Sequence, residues 1–156
     1  MENKKRLNGF TLIELLIVVF IIAILAVVAV PLVETTVKRE REIQLRRNLR
    51  IIVTAIDEYK KFVVKNQIEH DEDTYGYPES LEELVKGVEY EDQQGEDRVQ
   101  KFLRKIPVDP MTSTYEWGMR SYQDKHDTTS WGGENVWDVY TTSERKALDG
   151  TYYKDW

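Results

Sequence analysis

Residues 8–34 read NGFTLIELLIVVFIIAILAVVAVPLVE, and this stretch decides the fold. From Phe10 to Val33 only Thr11, Glu14 and Pro31 interrupt an apolar run of 24 residues. A bilayer-spanning helix needs about 20. Lys4, Lys5 and Arg6 precede the run, so a cleavable signal peptide is the competing reading. The run is long for a signal sequence, and its polar interruption falls at the start, beside the basic end. The stretch therefore reads as a retained membrane helix carrying a carboxylate, Glu14, where hydrocarbon should expel it.

Beyond Pro31, which removes a helical hydrogen bond and bends the axis, the apolar positions become periodic. Leu45, Leu49, Ile52, Ile56, Tyr59 and Val63 form one face of a helix, with Arg46, Arg47, Asp57, Lys60 and Lys61 on the other. One helix is expected from about Phe10 to about Lys65. At 1.5 Å per residue it is roughly 80–85 Å long, far more than a bilayer requires. Its orientation is undecided by charge alone. Three basic residues precede the span, but Lys38, Arg39, Arg41, Arg46, Arg47 and Arg50 follow it.

The remainder reads as a small mixed domain. YPESLEELVKG predicts a short helix with Ser80 as N-cap, Glu83 completing a capping box and Gly87 as the stop. A second helix is expected over Glu96–Lys105, from the apolar positions Val99, Phe102, Leu103 and Ile106. Alternation around Tyr115, Trp117 and Met119, and again over Val136–Tyr140, predicts an antiparallel sheet. The polar loop Gln123–Asn135 joins its strands, and a last strand or turn includes Tyr152 and Tyr153.

Residues 71–82, DEDTYGYPESLE, approach a calcium-loop pattern through Asp71, Asp73, Gly76, Glu79 and Glu82. Tyr75 stands where an oxygen ligand is required, and the capping box explains the same residues without a metal. All four tryptophans lie after residue 116; core packing accounts for them better than a stacking platform for sugars or bases. Neither His70 nor His126 has a catalytic partner at a recognisable spacing, so no enzyme is expected. The chain has no cysteine, which removes disulfides and thiolate metal sites. Residues 1–65 carry a balance of +5 and residues 66–156 one of −11, an acidic half unsuited to nucleic acid.

KKRLNGFTLIELLIVVFIIAILAVVAVPLVE resembles the N-terminus of type IV pilins and type II secretion pseudopilins. The matching features are the basic leader, Gly9 before Phe10, Thr11-Leu12, Glu14, the apolar run and Pro31. The resemblance implies the pilin fold, an α+β arrangement of a long N-terminal helix on a small head of short helices and antiparallel sheet. It implies a leader, 1–9, cut between Gly9 and Phe10 by a prepilin peptidase, with Phe10 then N-methylated. Residues 10–33 become the transmembrane and assembly half of the helix, 34–65 its amphipathic half and 66–156 a periplasmic head. Phe10, Glu14 and Pro31 are the implied assembly residues, Glu14 meeting the free Phe10 amine of a neighbouring copy.

LRKIPVDPMTSTYEWG and WDVYTTSERKALDGTYYKDW are similar to the C-terminal regions of major, G-type pseudopilins. Pro107, Asp109, Pro110 and Tyr115 match, while Met111-Thr112 stand where Trp-Gly is usual. That branch implies a structural calcium, here carried by Asp149, Asp155 and a carbonyl near Thr142, although the usual run of adjacent acidic residues is missing. The implied function is a subunit that self-associates into a helical filament, the pseudopilus. Its partners would be minor pseudopilins and an inner-membrane assembly platform with its ATPase. The alternatives are a true type IV pilin for adhesion, motility or DNA uptake, and a membrane-tethered periplasmic binding domain.

Overall fold

The computed structural model describes residues 10–92, 94–125, 128 and 130–156, without the side chains of 28–32. Helix α1 runs Leu12–Lys65, 54 residues, as the uninterrupted periodicity predicts. No glycine occurs between Phe10 and Tyr75 to weaken it. Its end is set by Asn66, whose side chain donates to the Phe62 carbonyl at 2.8 Å, and by Gln67, which turns left-handed. Ile68 N–H then returns to the Val63 carbonyl, closing the last turn.

The chain divides into two units, Met1–Arg39 and Glu40–Trp156. The second unit has its own core, built on the C-terminal part of α1. Leu45, Leu49, Ile52, Ile56 and Val63 are buried there with Ala55, and Tyr59 is half-buried. Against them pack Tyr77, Leu81, Leu84, Leu103, Met111, Trp117, Val136, Val139, Ala147 and Tyr153. Each fully buried aliphatic side chain contributes about 1.5–3 kcal/mol, so this one helical face holds the head together.

Helix α2, Leu81–Lys86, forms where expected, with Leu81 and Leu84 buried. Its cap differs from the expected capping box. Ser80 sits at the N-cap without a side-chain hydrogen bond. Glu83 instead accepts from Glu79 N–H at 3.2 Å and from the Tyr59 hydroxyl at 3.1 Å, tying α2 to α1. Burial and the Glu83 carboxylate push the Tyr59 phenol up.

The helix expected over Glu96–Lys105 is a hairpin. Strand β1, Val88–Glu91, pairs antiparallel with β2, Asp97–Gln100, in the register Val88 to Gln100. Asp92 explains the difference: its carboxylate accepts from Gln94 and Glu96 N–H, and Gly95 supplies a positive φ. Past β2, the Phe102 and Leu103 N–H groups both go to the Leu84 carbonyl rather than into a helix. Gly87 is required where α2 meets this hairpin, since its φ is +90° and a Cβ there would lie 2.5 Å from the Gln100 carbonyl.

The second pair is shorter than predicted. Strand β3, Gly118–Arg120, pairs antiparallel with β4, Asp138–Tyr140. Among the described residues there are two separate two-stranded sheets instead of one. Trp117 lies just before β3, buried, its indole N–H donating to the Pro107 carbonyl at 2.9 Å; Tyr115 is exposed. Gly118 admits the Tyr140 ring, which a Cβ would meet at 2.4 Å. Asp109, fully buried, accepts from Met111 N–H and from the Thr141 hydroxyl, joining the turn before β3 to the segment after β4.

Candidate assembly segment and the C-terminal loop

Every residue from Phe10 to Val27 is exposed, on all sides of the helix. Phe10 and Val27 are each 76% accessible. A helix apolar all round is stable only when lipid or protein covers it. Among the described residues no helix is long and apolar enough to cross a membrane; the run's continuation, 28–32, has no described side chains. Pro31 falls in that gap, and Gly9 also lies outside the described residues.

The helix starts at Leu12, with Phe10 and Thr11 outside it. Thr11 Oγ1 accepts from Glu14 N–H at 3.2 Å and the Thr11 carbonyl accepts from Leu15 N–H at 3.1 Å. Thr11 is thus an N-cap with Glu14 three residues on, a T-x-x-E pattern that sequence reasoning applied at Ser80 and missed here. Glu14 is exposed, and among the described residues no ion pair reaches it.

At the other end of the chain, residues 145–156 fold into a tight loop on the head. Ala147 N–H donates to the Thr151 carbonyl, and Lys146 bridges Tyr152. A 3-10 turn, Tyr153–Asp155, follows. Asp149 Oδ1 accepts both the amide and the hydroxyl of Thr151, at 2.9 and 2.6 Å. These two bonds, with Arg46 nearby, hold its carboxyl below the usual carboxylate range. Asp138 pairs with Arg120 at 3.2 Å.

Residues 4–30 match the family described as "Prokaryotic N-terminal methylation motif". Over 118 residues the chain is 30% identical to the type II secretion system core protein G of Pseudomonas aeruginosa, covering 74% of this chain and 75% of that protein. The chain belongs to the core protein G family. No solved structure matches it. As a major pseudopilin it is a structural protein and not an enzyme, and the methylation motif makes it a substrate for prepilin processing.

Asp149, the first of the residues assigned to calcium in this pseudopilin, is poorly placed to take the ion. Calcium takes six to eight oxygens. Both Asp149 oxygens already have protein partners, Thr151 on one and the Arg46 guanidinium, 3.8 Å away, on the other. Among the described residues no three acidic or histidine side chains converge on a common point. The same holds for the 71–82 loop. There the Asp73 carbonyl accepts from Gln123 and Asn135, and Thr74 closes a short 3-10 turn onto Asp71. His70 hydrogen-bonds the Ile68 carbonyl, and His126 lies outside the described residues. Of the aromatic residues, Trp117, Tyr77 and Tyr153 serve the core, whereas Tyr75 and Tyr122 pack against each other on the surface.

Two functional-looking residues were invisible in the sequence, Glu42 and Arg46 on the stem's polar face. Glu42 Oε1 accepts the Tyr153 hydroxyl at 2.8 Å. Burial, then this bond, pushes the Tyr153 phenol up to about 12. A raised folded-state pKa means that stability is fully present below the unfolded value near 10 and is lost as pH rises through 12. The full chain in detergent should therefore lose about 2 kcal/mol by pH 12 through this residue. Tyr153→Phe will lack that loss, so the stability gap between the two proteins, read by denaturant titration, will close between pH 9 and pH 12. A constant gap would show that Tyr153 titrates normally.

Proposed function

We propose that the chain polymerises through its N-terminal helix into a periplasmic pseudopilus that serves type II secretion. The supporting observation is the helical segment from Leu12 to Val27, apolar and bare on every side, joined in sequence to a head with its own core. Lipid covers such a segment before assembly, and neighbouring copies cover it afterwards. In this reading 1–9 is a cytoplasmic leader removed between Gly9 and Phe10. Residues 10–33 anchor the subunit in the inner membrane and line the filament's centre, 34–65 extend the stem and 66–156 form the periplasmic head. Minor pseudopilins are its partners in the filament. The inner-membrane platform and its ATPase supply the work, since the subunit is a structural protein.

The absence of native cysteine allows a direct test. Pairs of cysteines placed between Leu12 and Val27 and oxidised in intact cells should give ladders of dimers, trimers and larger species. Ladders should disappear when the prepilin peptidase is absent. Monomers from every pair, in cells that secrete normally, would overturn assembly through this helix.

A further inference from the structure

We propose that the C-terminal loop of this pseudopilin is closed by two side chains of its own stem, Glu42 and Arg46, and needs no divalent cation. Glu42 and Arg46 lie one helical turn apart on α1, so both face the same way. Glu42 Oε1 accepts from Leu148 N–H and from the Tyr153 hydroxyl, each at 2.8 Å. The Arg46 guanidinium lies 4.0 Å over the Trp156 ring, and its Nη2 is 3.8 Å from Asp149 Oδ2. Trp156 in turn packs edge-on to Tyr153 and donates its indole N–H to Thr151 Oγ1 at 2.8 Å. The loop's polar contacts with the stem thus end on Glu42 and Arg46, while Arg145 ties its start to the Met111 carbonyl and Ser143.

The contributions are unequal. The Arg46–Asp149 pair is long and its side chains are more than half exposed, so it adds little. The Glu42 bonds matter more: Tyr153 is 2% exposed, and without Glu42 its part-buried hydroxyl would lose the acceptor it has. Arg46 is a cation fixed to the chain. It supplies, beside Asp149 and against Trp156, the positive charge that an ion would otherwise bring to an acidic loop. A calcium ion at Asp149 would have to displace Thr151 from one oxygen and crowd Arg46 at the other. Among the described residues no buried side-chain polar atom is left without a hydrogen-bond partner for an ion to satisfy.

The test uses the full-length protein in detergent micelles, with calcium chloride or EGTA as the probe. Hydrogen exchange of residues 145–156, melting temperature and calorimetric calcium titration are read together. The expected result is no calorimetric binding at millimolar calcium, and the same melting temperature and exchange in both solutions. Glu42→Ala should speed exchange of the loop by about tenfold or more, with Arg46→Met in the same direction and Glu42→Gln, which keeps an acceptor, much milder. Slower loop exchange or a higher melting temperature in calcium, lost in Asp149→Ala, would overturn the proposal. Loop exchange unchanged in both Glu42→Ala and Arg46→Met would also overturn it. The calorimetric titration needs no variant, and millimolar or tighter calcium binding there would overturn the proposal even if a substitution prevents folding.

Discussion

Intact-mass analysis of the protein from its native host will return a chain that begins at Phe10 and carries one added methyl group. Cleavage needs an accessible peptide bond outside regular structure, and the described residues on its C-terminal side meet that need. Helix α1 begins only at Leu12, Thr11 caps it, and Phe10 stands outside it and largely exposed. The residue before the bond, Gly9, presents no side chain to a protease subsite. Gly9→Leu should leave essentially all of the protein as uncut precursor, and no methyl group can be added to an amine that is never released. A mature chain that keeps Met1–Gly9, or one cut after Ala29 as a secretory signal would be, removes the basis for the assembly reading.

Glu14→Ala and Glu14→Leu should both insert into the membrane at least as well as the parent, because the charge opposes insertion. Neither should assemble. Once the Phe10 amine is free, packing the helices together buries an ammonium, and an unpaired buried charge costs about 3–5 kcal/mol. That is enough to reduce filament yield a hundredfold or more, by about 1.4 kcal/mol per factor of ten. The N-cap at Thr11 gives Glu14 a second, local job, since a carboxylate in the first turn adds about 0.3–1 kcal/mol to the helix. Glu14→Gln separates the two. It leaves the backbone cap bond intact and loses the charge, whose local role is worth only about 0.3–1 kcal/mol, so pairing between copies predicts failure and the local role alone predicts near-normal filaments. Normal yield from Glu14→Ala and Glu14→Leu alike would leave the residue a headgroup-facing carboxylate.

The long helix was legible because its signal is redundant: 54 residues without a glycine, and a buried stripe from Leu45 to Val63 at steady helical spacing. The β1–β2 hairpin was not. Val99, Phe102, Leu103 and Ile106 have spacings that a helix would also produce, and the choice fell to Asp92 and Gly95, which close the turn first. The alternation in VEYE before that turn was the available clue. Thr11 was readable by the same capping rule used for Ser80, but the apolar run around it drew the reading toward the bilayer. Glu42 and Arg46 carried no signal at all. On a polar helical face they are indistinguishable from solvated charges, and their partners lie a hundred residues downstream.

That separation also orders events in time. Leu148 is 106 residues beyond Glu42, and Tyr153 is 111 beyond it, yet Tyr153 belongs to the head's core. Contacts so distant in sequence form late, after the loop between them has been closed. Until those contacts form, the stem can be helical, but the head lacks one of its largest buried rings. Docking of residues 145–156 onto the stem is thus the step that shuts the head.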